Sequence, residues 1–150
     1  MAVEDITNYL KVSETLTSSG QPTEMEFKAI AEAGFEVVIN LTMPNSENVI
    51  PEEGYIVTAR GMSYTHLPIP YDAPSGEHLK TFLGIMDAFA GKKCWVHCVV
   101  NQRVSAFLFQ YHKLVLGMSD EDARKVIIPG WQPENVWREF MALKKQDIGR

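Results

Sequence analysis

The sequence is poor in cysteine, which limits how the fold can be held together. Its 150 residues include only two cysteines, Cys94 and Cys98. Both fall in a stretch predicted to be one strand, where strand rise would hold their α-carbons about 13 Å apart. A disulfide cannot span that distance, so a disulfide framework within the chain is excluded. Free thiols are typical of a reducing compartment, and we therefore expect a cytoplasmic protein.

Long apolar runs and basic stripes are also absent. No tract is apolar enough to cross a bilayer, and residues 1–10 lack the cationic start and apolar run of a signal peptide. The formal net charge is −5, and no stripe of Lys and Arg offsets it. We expect a soluble protein with no membrane and no nucleic-acid partner, and any phosphate should be bound as a single group in a local pocket.

The composition that remains is that of an ordinary globular domain. Hydrophobic residues make up 45% of the chain, and no repeat, low-complexity tract or long linker divides it. A chain of this length can bury a sufficient core without metal or disulfides, so residues 1–150 are predicted to form one domain. The four histidines show no ligand spacing, so we expect no metal site and no cofactor.

Apolar spacing switches repeatedly between strand-like and helix-like periods. Helices are predicted from a capping box at Thr23 to Gly34, from a Ser75 cap to Gly91, and over residues 52–60, 104–116 and 133–145, with a short turn after Ser119. Strands are predicted over residues 35–41, 64–69 and 94–98. Strands that alternate with helices indicate an α/β fold with a mostly parallel sheet.

The chemistry is concentrated where a cysteine ends a buried strand just before a short loop and a helix. The helix start would direct free N–H groups and partial positive charge at Cys98, which favours the thiolate and creates an anion site. Arg103, after four intervening residues, could fork two oxygens of that anion. The loop amides would come from Val99, Val100, Asn101 and Gln102. An activated sulfur beside fixed donors is what nucleophilic phosphoryl or sulfur transfer requires.

The segment from His97 to Ser105 resembles the signature loop of protein tyrosine and dual-specificity phosphatases: His-Cys, five residues, Arg, then Ser or Thr. Three further segments match: Ser-Gly-Gln-Pro-Thr at 19–23, Val-Ile-Asn-Leu at 38–41 and His-Leu-Pro-Ile-Pro-Tyr-Asp at 66–72. Together they resemble the bacterial dual-specificity-like phosphatase family of uncharacterised function, whose members occur alone or fused to β-lactamase-like hydrolases. The resemblance implies the cysteine-phosphatase fold, with a mostly parallel central sheet flanked by helices.

The resemblance also implies roles for individual residues. Cys98 would attack phosphorus, Arg103 would hold its oxygens, and Asp72 would be the general acid. Ser105 would stabilise the thiolate as leaving group, although it could equally cap the buried helix. His97 is interpreted as a structural residue whose ring bonds loop carbonyls and holds the cysteine. The polar residues Ser19 and Gln21 and residues 40–45 are interpreted as solvated loop groups.

The loop departs from the phosphatase pattern because four residues, not five, separate Cys98 from Arg103. In one alignment the loop is tighter and Arg103 points into the pocket. In the other the loop keeps its length, Asn101 replaces the usual glycine, Ser105 keeps the hydroxyl position, and Val104 stands where the arginine should be. Rhodanese-type sulfurtransferases use a shorter loop, so the tighter alignment favours their chemistry.

Three functions are therefore open. The leading one is a metal-independent phosphatase that hydrolyses a phosphate monoester through a phosphocysteine. The second is sulfur transfer through a Cys98 persulfide, and the third is a binding module for a phosphorylated or sulfated ligand without turnover. The expected partner is thus a phosphorylated or sulfur-bearing substrate, with its anion in the loop of residues 98–103.

Overall fold

A computed structural model describes residues 1–150 as six α-helices and five strands, and the strands form a single sheet. The strands are β1 (Leu10–Ser13), β2 (Leu16–Ser19), β3 (Val37–Asn40), β4 (Ser63–His66) and β5 (Cys94–His97). The helices are α1 (Glu24–Glu32), α2 (Glu53–Ala59), α3 (Gly76–Ala88), α4 (Gln102–Leu114), α5 (Asp120–Ala123) and α6 (Val136–Met141). Short 3-10 turns cover Val3–Asp5, Arg124–Val126 and Lys145–Ile148. No helix has the length and apolar character needed to cross a membrane.

The sheet has the order β1-β2-β5-β3-β4. β1 and β2 form an antiparallel hairpin, and all other neighbouring strands are parallel. The predicted α/β class and mostly parallel sheet are confirmed. β5 is the central strand, and its last residue, His97, is level with Ser19 of β2 and Asn40 of β3. The strand that leads to Cys98 therefore ends in the middle of the carboxyl edge of the sheet.

Local signals in the sequence place most helix boundaries. Thr23 and Glu26 form the predicted capping box at the start of α1, and Ser75 caps α3 through the backbone N–H of His78. Helix α4 begins at Gln102, two residues before its predicted start. The last helix starts later than the predicted residue 133 because Asn135, at φ 53°, interrupts helical geometry directly before it, and it ends at Met141, before the predicted 145. The β1–β2 hairpin was not predicted.

Helices cover both faces of the sheet. The larger core lies between one face and helices α3, α4 and α6, and Phe107 of α4 packs there against Phe82, Trp137 and Phe140. The smaller core lies on the other face, under α1 and α2, around Trp95. Helix α4 is buried along most of its length, as its nearly continuous apolar sequence predicts. A helix held so firmly fixes the position of the loop at its start.

Candidate functional site

Residues 98–101 connect β5 to α4 in a tight loop, and neighbouring segments hold the loop carbonyls from outside. The Val99 carbonyl accepts a hydrogen bond from the Gln21 backbone N–H at 2.9 Å. The Val100 carbonyl accepts one from the Asn8 side-chain amide at 2.8 Å. Both donors belong to the first part of the chain, which lies against the loop along its outer side.

The other two loop carbonyls also have partners. The Asn101 carbonyl accepts from the Ser105 hydroxyl at 2.6 Å, and the Cys98 carbonyl lies 3.2 Å from Nδ1 of His97. None of the backbone N–H groups of residues 99–103 donates a hydrogen bond within the protein. With its carbonyls held outward and its amides free at the start of a 13-residue helix, the loop can bind a single anion.

Asn101 permits the sharp turn of the loop into α4. Its φ of 69° lies in the left-handed region, which asparagine tolerates better than most residues. Its side-chain amide donates to the Asn8 carbonyl and to the Ser18 hydroxyl, both at 2.9 Å. Asn101 thus occupies a glycine-like position, as in the longer alignment, and Val104 is fully buried in the larger core.

Arg103 lies inside the protein rather than in solvent. Its side chain is 6% exposed, and Nη1 donates to the Ile69 carbonyl at 2.9 Å. Its Nε is buried and has no hydrogen-bond partner. The Tyr71 ring lies 6.0 Å from the guanidinium carbon. A buried guanidinium N–H without an acceptor beside a ring of free amides is suited to an incoming oxyanion.

The two cysteines lie at opposite ends of the central strand. Cys98 follows its last residue, is fully buried, and donates its backbone N–H to the Ser19 carbonyl at 3.4 Å. Cys94 is the first residue of the strand, and burial, followed by the negative charge of Glu36, raises the pKa of its thiol to about 11. Both thiols are free. Only Cys98 lies beside the loop amides.

Asp72 lies in the segment between β4 and α3, which contacts the first two residues of α4. Ile69 accepts from Arg103, and the Tyr71 hydroxyl donates to the Gln102 side chain at 2.9 Å. Asp72 itself is exposed and lines a cleft with Trp131, Glu134 and Trp137. The segment therefore presents an exposed carboxyl directly after Tyr71, which contacts Gln102, and no internal hydrogen bond occupies that carboxyl.

Ser105 lies differently from the expectation taken from the phosphatase pattern. Its hydroxyl donates its single hydrogen to the Asn101 carbonyl and accepts from the Ile128 backbone N–H at 3.1 Å. Because that hydrogen is already used, the hydroxyl does not donate to the sulfur of Cys98 in this structure. It stabilises the turn into α4 instead.

His97 is fully buried, and a carboxylate that sequence reasoning missed lies beside it. Its Nε2 lies 2.7 Å from Oε2 of Glu53, and Oε1 of Glu53 accepts from the Gln21 side chain at 2.8 Å. Burial by itself would raise the pKa of Glu53, but the charge and hydrogen bond of His97, with further hydrogen bonds from Gln21 and Tyr64, hold this pKa below its usual value.

The interpretation of Ser19 and Gln21 as solvated groups is wrong. Ser19 is fully buried and accepts from the Trp95 indole at 2.8 Å, and Gln21 is 9% exposed. Their positions beside the central strand follow from the unpredicted hairpin, which brings the segment after β2 against the loop. Glu53 had no local signal either, because an acid in the first turn of a helix is ordinarily a surface residue. No three His, Cys, Asp or Glu side chains lie close enough together to hold a metal ion.

Comparison with solved structures identifies the fold. A DUF442 protein from Shewanella putrefaciens CN-32, described as a candidate phosphatase, superposes with a TM-score of 0.83 at 31% identity, over 93% of this chain and 91% of that one. Tk-PTP in its active form has a TM-score of 0.77 at 23% identity, over 95% and 97% of the two chains. TpbA from P. aeruginosa, in complex with pTyr, has a TM-score of 0.66 at 15% identity, over 95% and 79%. No family model and no curated protein matches the chain.

These similarities confirm the predicted fold class, because this chain superposes on most of the length of three proteins that have the phosphatase-like α/β fold. The Tk-PTP and TpbA structures support the fold alone, since both are less than 25% identical to this chain. The Shewanella protein is similar in sequence as well as in fold, over nearly the whole of both chains.

Proposed function

Because the chain belongs to the DUF442 family of phosphatase-like proteins, we propose that it hydrolyses a phosphate monoester with Cys98 as the nucleophile. The observation that carries the proposal is the geometry of the loop. The carbonyls of residues 98–101 are held outward, and the amides of residues 99–103 have no internal acceptor. A dianionic phosphate has the charge and the oxygen count to satisfy such a ring of donors.

Arg103 supplies the second part of the phosphate site. The hydrogen bond to Ile69 anchors one end of the guanidinium, which leaves the buried Nε and its neighbouring N–H groups to bind two phosphate oxygens side by side. The charge of the guanidinium would also stabilise the thiolate. Arg103 thereby serves the binding role of a phosphatase arginine although it follows Cys98 one residue early.

In the first chemical step the Cys98 thiolate attacks phosphorus in line, opposite the departing oxygen. The S–P bond forms as the P–O bond to the leaving group breaks, and the Asp72 carboxylic acid gives its proton to that oxygen. In the second step water attacks the phosphocysteine, its proton passes to the Asp72 carboxylate, and the P–S bond breaks to release phosphate and the thiolate. Neither step requires an added oxidant, reductant or cofactor.

The partner implied by this site is an organic phosphate. TpbA has been solved with pTyr in a similar fold, and the loop of this chain offers free backbone amides to a phosphorylated ligand. The cleft that Asp72 shares with Trp131 and Trp137 would lie beside the departing group.

The decisive experiment is a parallel assay of wild type and Cys98→Ser with p-nitrophenyl phosphate and with thiosulfate plus cyanide. We expect hydrolysis of the aryl phosphate by wild type, no activity in Cys98→Ser, and wild-type activity in the control Cys94→Ser. Thiocyanate production that depends on Cys98 would instead identify a sulfurtransferase. Binding of inorganic phosphate without turnover of either substrate would identify a binding module and overturn the proposal.

A further inference from the structure

Three polar side chains from separate parts of the chain meet directly behind the nucleophile loop. Glu53 comes from the start of α2, His97 from the end of β5, and Gln21 from the segment after β2. We call them the Glu53 cluster. They lie on the α1–α2 side of the sheet, where the surrounding core is apolar. The mechanism above assigns no role to Glu53 or Gln21.

Burial of the Glu53 carboxylate costs desolvation free energy, and packing of the core does not require a charged group at this position. Glu53 is 3% exposed and His97 fully buried. Moving a charged group out of water is unfavourable unless it is paired, and apolar residues of similar volume often serve a core equally well. A buried ion pair next to a nucleophile is therefore a candidate for a role in the chemistry.

Both ring nitrogens of His97 face oxygen atoms. Nε2 faces the Glu53 carboxylate at 2.7 Å, and Nδ1 faces the Cys98 carbonyl at 3.2 Å. The Cys98 carbonyl can only accept, and the Glu53 carboxylate, which also accepts from the Gln21 amide, is an acceptor as well. A neutral imidazole has one N–H and would leave one of these acceptors without a donor. The ring that satisfies both is the imidazolium, with a proton on each nitrogen.

We propose that Glu53 is a positioning residue that keeps His97 doubly protonated, so that Nδ1–H holds the Cys98 carbonyl outward and the imidazolium favours the neighbouring thiolate. The inference rests on the proposed phosphatase function and extends it to a residue outside the loop. Gln21 has a supporting part, because its amide fixes the second oxygen of the carboxylate at 2.8 Å.

Glu53 is the one carboxylate within salt-bridge distance of His97. From α1 the uncharged Phe27 ring packs at 5.9 Å, and from β3 the neutral Asn40 amide lies at the same level of the sheet. From β4 Tyr64 contributes a phenol whose pKa is raised by burial and then by the charge of Glu53, so it stays neutral. The remaining titratable neighbour is Cys98 itself. No second carboxylate is placed to replace Glu53 as the partner of His97.

The first test is the Glu53→Gln variant, which keeps the shape of the side chain and removes its charge. Nitrogen NMR of the His97 ring at pH 7 should show two protonated nitrogens in wild type and one in the variant. We expect kcat for p-nitrophenyl phosphate to fall about tenfold or more with little change in KM, the rate equivalent of one charge-assisted hydrogen bond. Carboxymethylation of Cys98 by iodoacetate should slow in parallel.

The matched control is Glu52→Gln, which removes the same charge from the exposed residue immediately before and should match wild type in all three measurements. His97→Asn should reduce kcat as well, and the double variant should lose no more than His97→Asn alone, because Glu53 acts through His97. If Glu53→Gln does not fold, Gln21→Leu should lower kcat in the same direction by a smaller factor.

The inference is overturned if the wild-type His97 ring carries a single nitrogen-bound proton at pH 7, or if Glu53→Gln behaves like Glu52→Gln. It is also overturned if the loss of kcat in the double variant equals the losses of the two single variants combined. Failure of the phosphatase proposal would look different. Wild type would then not hydrolyse the aryl phosphate at all, while the ring protonation and the Cys98 alkylation rate would still report on Glu53.

Discussion

At the scale of single residues, the site depends on how each polar atom of the loop is occupied. The loop carbonyls have hydrogen-bond partners and the loop amides do not, and this difference indicates an anion site. The loop side chains indicate it less clearly, because two of them are valines. Arg103 follows the same logic, since one N–H group is anchored and another, buried, is free. Variants that change the number of hydrogen-bond donors in the site without changing its charge are therefore the most informative about anion binding.

Arg103→Lys should lower kcat/KM for an aryl phosphate by about ten- to a hundredfold, because lysine keeps the charge but loses the side-by-side hydrogen bonds of the guanidinium. Arg103→Ala should lower it further. The affinity for inorganic phosphate, measured as competitive inhibition, should fall in the same order. Arg124→Lys, at an exposed arginine paired with Asp120, is the control. Equal activity in Arg103→Lys and wild type would show that this guanidinium does not bind the phosphate.

Asp72→Asn should lower turnover of phenyl phosphate by about 10²-fold, the usual scale of general acid catalysis. The loss should be much smaller for p-nitrophenyl phosphate, whose leaving group needs little protonation. Glu134→Gln is the comparison variant, because this second carboxylate lines the same cleft. Equal losses of turnover for both substrates would show that Asp72 only shapes its segment. If Glu134→Gln instead loses more turnover with phenyl phosphate than with p-nitrophenyl phosphate, Glu134 is the general acid.

At the scale of elements, the position of the loop depends on the segment between β2 and α1. A Cβ atom placed on Gly20 would lie 2.5 Å from the Val99 carbonyl oxygen, which is a backbone atom and cannot turn away. The Gly20 backbone N–H also bonds Thr7 at 2.7 Å. Glycine at this position lets the first part of the chain come close enough to hold the loop.

Gly20→Ala should therefore destabilise the protein by about 1–3 kcal/mol, the usual cost of overpacking, and should also reduce phosphatase activity because the loop must shift. Gly84→Ala is the matched control, since that glycine lies inside α3 with open space around it. It should stabilise the protein by about 0.4–1 kcal/mol. Urea unfolding measures both. A Gly20→Ala variant as stable and active as wild type would contradict the close approach.

The elements that carry strong local signals could be predicted from the sequence. Capping residues mark α1 and α3, and apolar runs mark β3, β5 and α4. The hairpin of β1 and β2 could not be found in this way, because its four-residue strands carry serine, threonine and lysine instead of an apolar run. Its partner strand β5 lies far along the chain, and only the folded sheet reveals that pairing.

The same contrast applies to the site. Cys98, Arg103 and Asp72 could be proposed because they lie in recognisable segments. Asn8, Gln21 and Glu53 could not, because each reaches the loop or His97 from a distant part of the sequence. The hydroxyl of Ser105 was ambiguous from its position alone, and its hydrogen bonds place it in the turn into α4.

At the scale of the whole molecule, Cys94 should make stability depend on alkaline pH. Burial raises the pKa of its thiol to about 11 in the folded state, whereas an unfolded thiol ionises at about 8.5. The neutral thiol therefore contributes stability that is fully present below about pH 8.5 and is lost as the pH rises toward 11.

We expect the Tm of wild type to fall over that range and the fall to be shallower in Cys94→Ala. The offset between the two proteins below pH 8 reports the loss of packing alone and is the internal control. Parallel curves across the whole range would show that Cys94 ionises equally easily in the folded and unfolded chains.

The strand order has a consequence for how the molecule is made. β5 lies between β2 and β3, so the pairs β1–β2 and β3–β4, which leave the ribosome first, share no edge with each other and must wait for residues 94–97 before the sheet can close. Folding that depends on such distant pairings is slow, because the ends of long loops must meet before any contact rewards them. The strand that completes the sheet is also the one that leads directly to Cys98. A chain truncated before residue 94 therefore lacks both the closed sheet and the loop that follows Cys98.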